Sequence, residues 1–339
     1  MIYPRNLNKN DWIGVVATSK GISNDNEVLK FERAKQNFKK CGYKIIKSNN
    51  IVKNNKARSA SGKERAEEFL KLWTDKDIKA IITLKGGQFL NEMLPVLHEN
   101  KAILKKSQAK WVLGFSDTTV LLHYLTTNFD IATIHFDNFM NYGMNNLLKS
   151  QLNSIKILEG AEISQISSKK YQGVHQKSDV IGNLNFDKRT EWKNLNNENQ
   201  IKLKGRIIGG NLESVVKLIG TKYDNTINYI EKYKNDGIIW FLESFALNTA
   251  GIYSALWQMK ESGYFRYTKG FIFGRPAICE ETYNISYEET LKDILEDLHV
   301  PVIYNADIGH VPPQLVIVNG SVVEIISKNG GGSITCKKI

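Results

Sequence analysis

The sequence predicts an α/β protein in two domains, the first built on a parallel sheet. Three observations carry that expectation. Short apolar runs alternate with helical periodicities through the first half of the 339 residues, the pattern of a parallel sheet covered on both faces. Polar turns, two of them bearing glycine, follow those runs, where such sheets place their functional groups. Beyond about residue 200 strands still alternate with helices, but the last three strands are joined by short turns, so this half reads as mixed or antiparallel.

Residues 12–17 read as a strand and 26–41 as a helix with apolar residues three and four apart. The next strand is 43–46, and Ser61-Gly-Lys-Glu64 makes a capping box for a helix through Trp73. Strand 80–84, helix 88–98, strand 110–115, helix 117–127 and strand 131–135 continue the alternation. A polar, asparagine-rich segment, 183–200, reads as a long loop or an inter-domain crossing. Strands are then expected at 201–208, 237–242, 270–273, 301–304, 314–318, 321–326 and 332–336, with helices at 212–219, 248–261 and 287–298. The domains fall at 1–165 and 201–339, with a linker and polar loop at 166–200 between them.

With 42% hydrophobic residues the chain can fill two cores. No apolar run approaches the roughly 20 residues that span a bilayer, and the first residues, Met1 to Asn6, lack the apolar centre of a secretory signal. A cytoplasmic protein with no membrane partner is expected. Cys41, Cys279 and Cys336 are isolated and odd in number, which fits a reducing compartment. The six histidines form neither a His-x-His nor a His-Glu-x-x-His pair, so no metal and no cofactor is expected. The net charge of +11 suits an acidic small substrate or nucleic acid. The lysines are interleaved with Asp, Glu and Asn, as in Lys30 to Lys40. That is the texture of a solvated face, and a nucleic-acid partner is not expected.

The chemistry centres on Gly114-Phe-Ser-Asp-Thr-Thr119, between an apolar stretch and a helical one. A serine on a sharp strand-to-helix turn projects its hydroxyl beside unpaired N–H groups. Thr118 holds the second glycine position of the usual Gly-x-Ser-x-Gly elbow. Ser116 and Asp117 also have the composition of a helix cap. A nucleophile at Ser116 needs a base and an orienting carboxylate. His310, in Asn305-Ala-Asp-Ile-Gly-His-Val-Pro-Pro-Gln314, and His135, ending a strand, compete as the base. His123 and His299 read as structural. Glu243, ending Ile238-Ile-Trp-Phe-Leu-Glu243, is a carboxylate whose burial demands a partner, and Asp307 is its competitor. Thr18-Ser-Lys-Gly21 and Lys85-Gly-Gly-Gln88 follow strands on the same rim as Ser116. Gly86-Gly87 and the Asp117 N–H could form an oxyanion hole. Gly209-Gly-Asn211 is a further place for close backbone approach, or an ordinary turn.

Taken together, Asp11-Trp-Ile-Gly-Val-Val-Ala17, Lys85-Gly-Gly87, Gly114-Phe-Ser-Asp-Thr118, Gly209-Gly-Asn-Leu212, Phe241-Leu-Glu243, Gly274-Arg-Pro276 and Asp307-Ile-Gly-His310 resemble the LD-carboxypeptidase family of serine peptidases. Arg58-Ser-Ala-Ser61 and the extended Lys85 to Pro95 stretch look more like its microcin C immunity branch, whereas Thr133-Ile-His-Phe-Asp137 lacks a His-Gly-Pro seen in relatives.

The resemblance implies a flavodoxin-like or class I amidotransferase-like parallel amino-terminal domain and a smaller mixed β/α carboxyl-terminal one. It implies Ser116 as nucleophile, Glu243 and His310 as the rest of the triad completed across the cleft, Gly87 and Asp117 as oxyanion donors, and a homodimer. On the substrate side Lys85, Gln88 and Asn211 are the expected contacts, and Trp192, in the polar loop, could stack on a base. The expected substrate is a peptidyl or aminoacyl nucleotide or another small peptide, with a murein tetrapeptide as the alternative. A non-catalytic binder of acidic ligands or nucleic acid is the reading from another class.

Overall fold

A computed structural model describes residues 1–173 and 184–337, so His175 and the start of the polar segment at Asn183 lie outside the described residues. Two compact units emerge, 1–161 and a second made of 162–173 with 184–337. In the first, strands β1 (Trp12–Val16), β2 (Lys44–Lys47), β3 (Ile78–Thr83), β4 (Trp111–Gly114) and β5 (Thr133–His135) lie in the order β5-β4-β3-β1-β2. Every neighbouring pair in that row is parallel. Helices α1 (Asp25–Lys40), α2 (Gly62–Thr74), α3 (Leu94–Glu99), α4 (Lys101–Lys106), α5 (Thr119–Phe129) and α6 (Lys149–Leu158) connect and follow them.

This is the flavodoxin order, in which the chain leaves β1 and β3 in opposite directions and opens a crevice at their carboxyl ends. The turns at 17–20 and 84–89 therefore border one crevice, and β4 delivers Ser116 beside it. Ser61 and Glu64 close the capping box that starts α2, the Glu64 N–H donating to Ser61 Oγ and the Ser61 N–H to Glu64 Oε2. The helix expected over 88–98 is divided. Leu90–Met93 is a 3₁₀ turn and α3 begins only at Leu94, because Pro95 has no N–H to continue an α-helix from upstream.

In the second unit β6 (Ser164–Ile166), β7 (Lys170–Tyr171), β8 (Lys188–Arg189), β9 (Lys193–Asn194), β10 (Gln200–Asn211), β11 (Ile238–Glu243), β12 (Thr268–Gly274), β13 (Val302–Ala306), β14 (Ile317–Asn319), β15 (Val322–Lys328) and β16 (Gly331–Lys337) are joined by α7 (Leu212–Val215), α8 (Thr226–Lys232), α9 (Thr249–Glu261) and α10 (Tyr287–Leu295). The main sheet runs β6-β16-β15-β10-β11-β12-β13-β9. Its centre, β10 to β13, is parallel, and antiparallel strands flank it on both sides.

Two expectations change here. The described parts of 166–200, expected as linker and polar loop, include paired strand: Ile166 ends β6, which pairs with β16, and β9 pairs with β13. Trp192 fills the core beside Ile201, Phe241, Ile303 and Ile325. A polar local composition hid a segment held in the second unit by one large aromatic side chain. Gly209 to Asn211 is the end of β10, paired with Phe241 to Glu243, not a turn. Among the described residues no helix is long and apolar enough to cross a membrane.

Candidate active site

Ser116 has φ +65°, a left-handed conformation that a non-glycine residue rarely adopts. Holding it costs roughly 1–3 kcal/mol, so the surrounding structure must over-determine it. It does so from behind. Asn138 Oδ1 accepts hydrogen bonds from the Thr83 hydroxyl at 2.6 Å and the Phe115 N–H at 3.3 Å. Thr118 Oγ1 lies 3.0 Å from Thr83 Oγ1. Gly114 must lack a side chain, since a Cβ there would sit 2.2 Å from Thr83 Oγ1. Thr118, which stands where the common elbow has glycine, is therefore part of the support. The capping alternative falls away: neither the 3₁₀ turn Ser116–Thr118 nor α5 has a side-chain cap.

The glycine turn reaches the serine directly. A Cβ on Gly86 would lie 3.0 Å from both Cβ and Oγ of Ser116, and one on Gly87 would meet Ser19 Cβ at 2.9 Å. Asp117 is buried, and its carboxylate accepts from Ser19 Oγ at 2.5 Å and from the Leu90 N–H at 2.9 Å. Lys85, expected to meet substrate, has its ammonium bonded to the buried carboxylate of Glu27. Gln88 is exposed on the same turn. Ser116 itself is half-buried.

In the second unit His310 Nδ1 lies 2.7 Å from Glu243 Oε2, and the Glu243 side chain is wholly buried. An Nδ1–H donated to that carboxylate would leave Nε2 as the basic nitrogen. The Phe245 ring sits 4.7 Å, centroid to centroid, from the His310 ring. The turn beyond Glu243 is pinned by Glu213, whose Oε1 accepts from the Phe245 and Ala246 N–H groups at 2.8 and 2.9 Å.

Asn211, expected at the substrate, is buried and donates to Glu213 Oε2 at 2.7 Å while accepting from Ser214 Oγ at 2.7 Å. Its amide braces the Glu213 carboxylate.

Asp307, the competing carboxylate, is claimed elsewhere. It pairs with Arg275 and accepts from the Ser168 N–H at 2.8 Å and from the Trp192 indole N–H at 3.4 Å. Trp192 is thus buried in a structural role and not presented to a base. The Arg275 guanidinium lies 4.3 Å from the Tyr171 ring centroid. This cluster fixes the start of the 307–310 turn that carries His310.

His135 is buried in β5, paired across from Gly114, with its ring edge-on to Phe115 at 6.2 Å. His123 is buried in the middle of α5.

Thr83, Asn138, Glu213 and Phe245 escaped the sequence reading. Each is an ordinary polar or aromatic residue with no local pattern, and its importance comes from what long-range folding places next to it.

A strained serine on a strand-to-helix elbow in the first unit, and in the second a buried glutamate paired with a histidine, are each of the kind a serine hydrolase uses. The sequence profile of the LD-carboxypeptidase N-terminal domain matches residues 13–136 and that of its C-terminal domain matches 204–325. The chain belongs to the LD-carboxypeptidase family and is a serine-type carboxypeptidase. It is 27% identical over 320 residues to the microcin C7 self-immunity protein MccF of Escherichia coli, covering 90% of this chain and 88% of that protein. An MccF-like protein from Bacillus anthracis has the same fold, with a TM-score of 0.81 at 22% identity and complete coverage of both chains. MccF solved in complex with aspartyl sulfamoyl adenosine matches with a TM-score of 0.78 at 22% identity over 99% of each chain.

Proposed function

We propose that Ser116, His310 and Glu243 act as a triad that hydrolyses the amide of a peptidyl or aminoacyl nucleotide. Ser116 Oγ attacks the carbonyl carbon while His310 Nε2 takes its proton, and Glu243 holds the imidazole through Nδ1–H. The backbone N–H groups of Gly87 and Asp117 receive the oxyanion. Collapse breaks the C–N bond, His310 returns the proton to the leaving nitrogen, and water then releases the acyl group as a carboxylate by the same steps. The observation that carries this reading is the 2.7 Å contact between His310 Nδ1 and Glu243 Oε2, made by a fully buried carboxylate. The nucleotide part rests on the likeness to MccF.

The second reading, removal of the terminal D-alanine from a murein tetrapeptide, is supported by the family's description. Side-by-side turnover of an aspartyl sulfamoyl adenylate and a murein tetrapeptide separates the two. Preference for the tetrapeptide would overturn the nucleotide assignment.

A serine-directed phosphonate should label the protein and fail to label Ser116→Ala. Salt-sensitive nucleic-acid binding without labelling would favour the non-catalytic reading instead. The assembly we propose is a homodimer in the cytoplasm, checked by light scattering and by fractionation.

A further inference from the structure

Two charged groups that take no part in the proposed chemistry each bridge the same pair of loops. The Asp117 carboxylate joins Ser19, just after β1, to Leu90, at the far end of the glycine turn. Arg65, on α2 and fully buried, donates through Nη1 to the Thr18 carbonyl at 2.7 Å and the Phe89 carbonyl at 3.1 Å. Its other terminal nitrogen pairs with Glu92. The partners of the two groups are adjacent in sequence on both loops, Thr18 and Ser19 on one, Phe89 and Leu90 on the other.

Between the anchored ends lies the short stretch of Lys85 to Gln88. Its near end is tied where the Leu84 N–H donates to the Val16 carbonyl at 2.8 Å. At its middle, Gly86 leaves no room for a side chain beside Ser116. A turn of two glycines has no side chains to fix its own shape. An oxyanion hole works only if its N–H groups are aimed before reaction, and a displacement of about 1 Å can cost 10²-fold in rate.

We propose that Asp117 and Arg65 are positioning residues: they brace the loops after β1 and β3 so that the Gly86-Gly87 turn is held in register with the strained Ser116. Asp117 thus contributes twice, with its backbone N–H toward the oxyanion and its carboxylate toward the loops that carry the other donor. The inference rests on Ser116 being the nucleophile.

The test is the phosphonylation rate of the full chain by a fluorophosphonate, resolved into the limiting rate and the half-saturating concentration. In Asp117→Ala the limiting rate should fall about 10²-fold, with half-saturation changed less than about 3-fold. Asp117→Asn keeps an acceptor for the Leu90 N–H and should recover to within about 10-fold of the wild type. Ser19→Ala removes one hydrogen bond to the Asp117 carboxylate without substituting residue 117 and should lose about 10-fold in the limiting rate.

A merely structural carboxylate would lower the melting temperature and leave the limiting rate of the folded protein unchanged. The brace is overturned if folded Asp117→Ala reacts within about 2-fold of the wild type. Should that variant fail to fold, Ser19→Ala decides by the same criterion. Wild-type protein labelled no faster than Ser116→Ala would remove the nucleophile assignment, and the brace with it. Labelling of the wild type alone with unaltered Asp117→Ala would remove only the brace.

Discussion

Gly309 lies so close to Glu243 that a Cβ on it would stand 2.5 Å from Oε2, and its φ of +95° is one that side chains rarely adopt. The residue before His310 therefore sets where the carboxylate can sit. Gly309→Ala should displace Glu243 from His310 and lower kcat by about 10²-fold. Gly330, with φ +74° and room for a Cβ that would meet nothing nearer than Glu191 Cγ at 3.7 Å, is the control. Its alanine variant should cost stability alone. Steady-state kinetics and thermal melts of the two proteins check this, and equal kcat losses would refute it.

His310 and His135 make opposite predictions. Loss of a general base costs about 10²–10⁴-fold, so His310→Ala should be nearly inactive while remaining folded. His135→Gln disturbs packing against Phe115 and should melt earlier while keeping kcat within about 10-fold of the wild type. A reversal of these two activities would move the base into the first unit.

Restoring the common elbow glycine should harm this protein. Thr118→Gly removes the hydroxyl that faces Thr83, at about 1 kcal/mol for a buried hydrogen bond, and adds chain freedom that costs up to about 1 kcal/mol more. Urea unfolding measures the sum. A variant as stable as the wild type would show that Thr118 is not part of the support.

Glu27 offers a pH test. Burial opposes its ionisation, but the hydrogen bond and charge of Lys85, with the N–H and hydroxyl of Ser23, hold its carboxyl below the ordinary 4.5. A carboxyl whose pKa is lowered on folding stabilises fully above the unfolded value, and that contribution fades as pH falls through the folded one. The wild type should therefore lose stability more steeply than Glu27→Gln below pH 4.5. Parallel acid limbs in denaturant titrations would contradict the ion pair's role in anchoring Lys85.

How much of this was legible in the sequence follows the range of the interactions. Parallel strands and the capping box of α2 depend on residues near one another in the chain, and they could be read. Ser116, Glu243 and His310 stood out because each ends a strand or follows one. What could not be read was which partner each charged group takes. Lys85 is claimed by Glu27, 58 positions earlier, and Asp307 by Arg275, 32 positions earlier. Trp192 looked free because its neighbours are polar, yet its indole spans the core and reaches Asp307. Locally polar sequence and globally buried position are compatible whenever one side chain supplies the anchoring.

The helix behind Ser116 has a consequence for the field at the proposed nucleophile. Ten of the eleven residues of α5 are buried, so the partial positive charge at its amino end, roughly half an elementary charge, is shielded from mobile ions. Counter-ions screen exposed charges over about 8 Å at physiological ionic strength but reach buried dipoles poorly. The attraction that α5 exerts on a developing oxyanion should thus persist in concentrated salt, and any ionic-strength dependence of turnover should come from the lysine-rich exterior and the encounter with substrate.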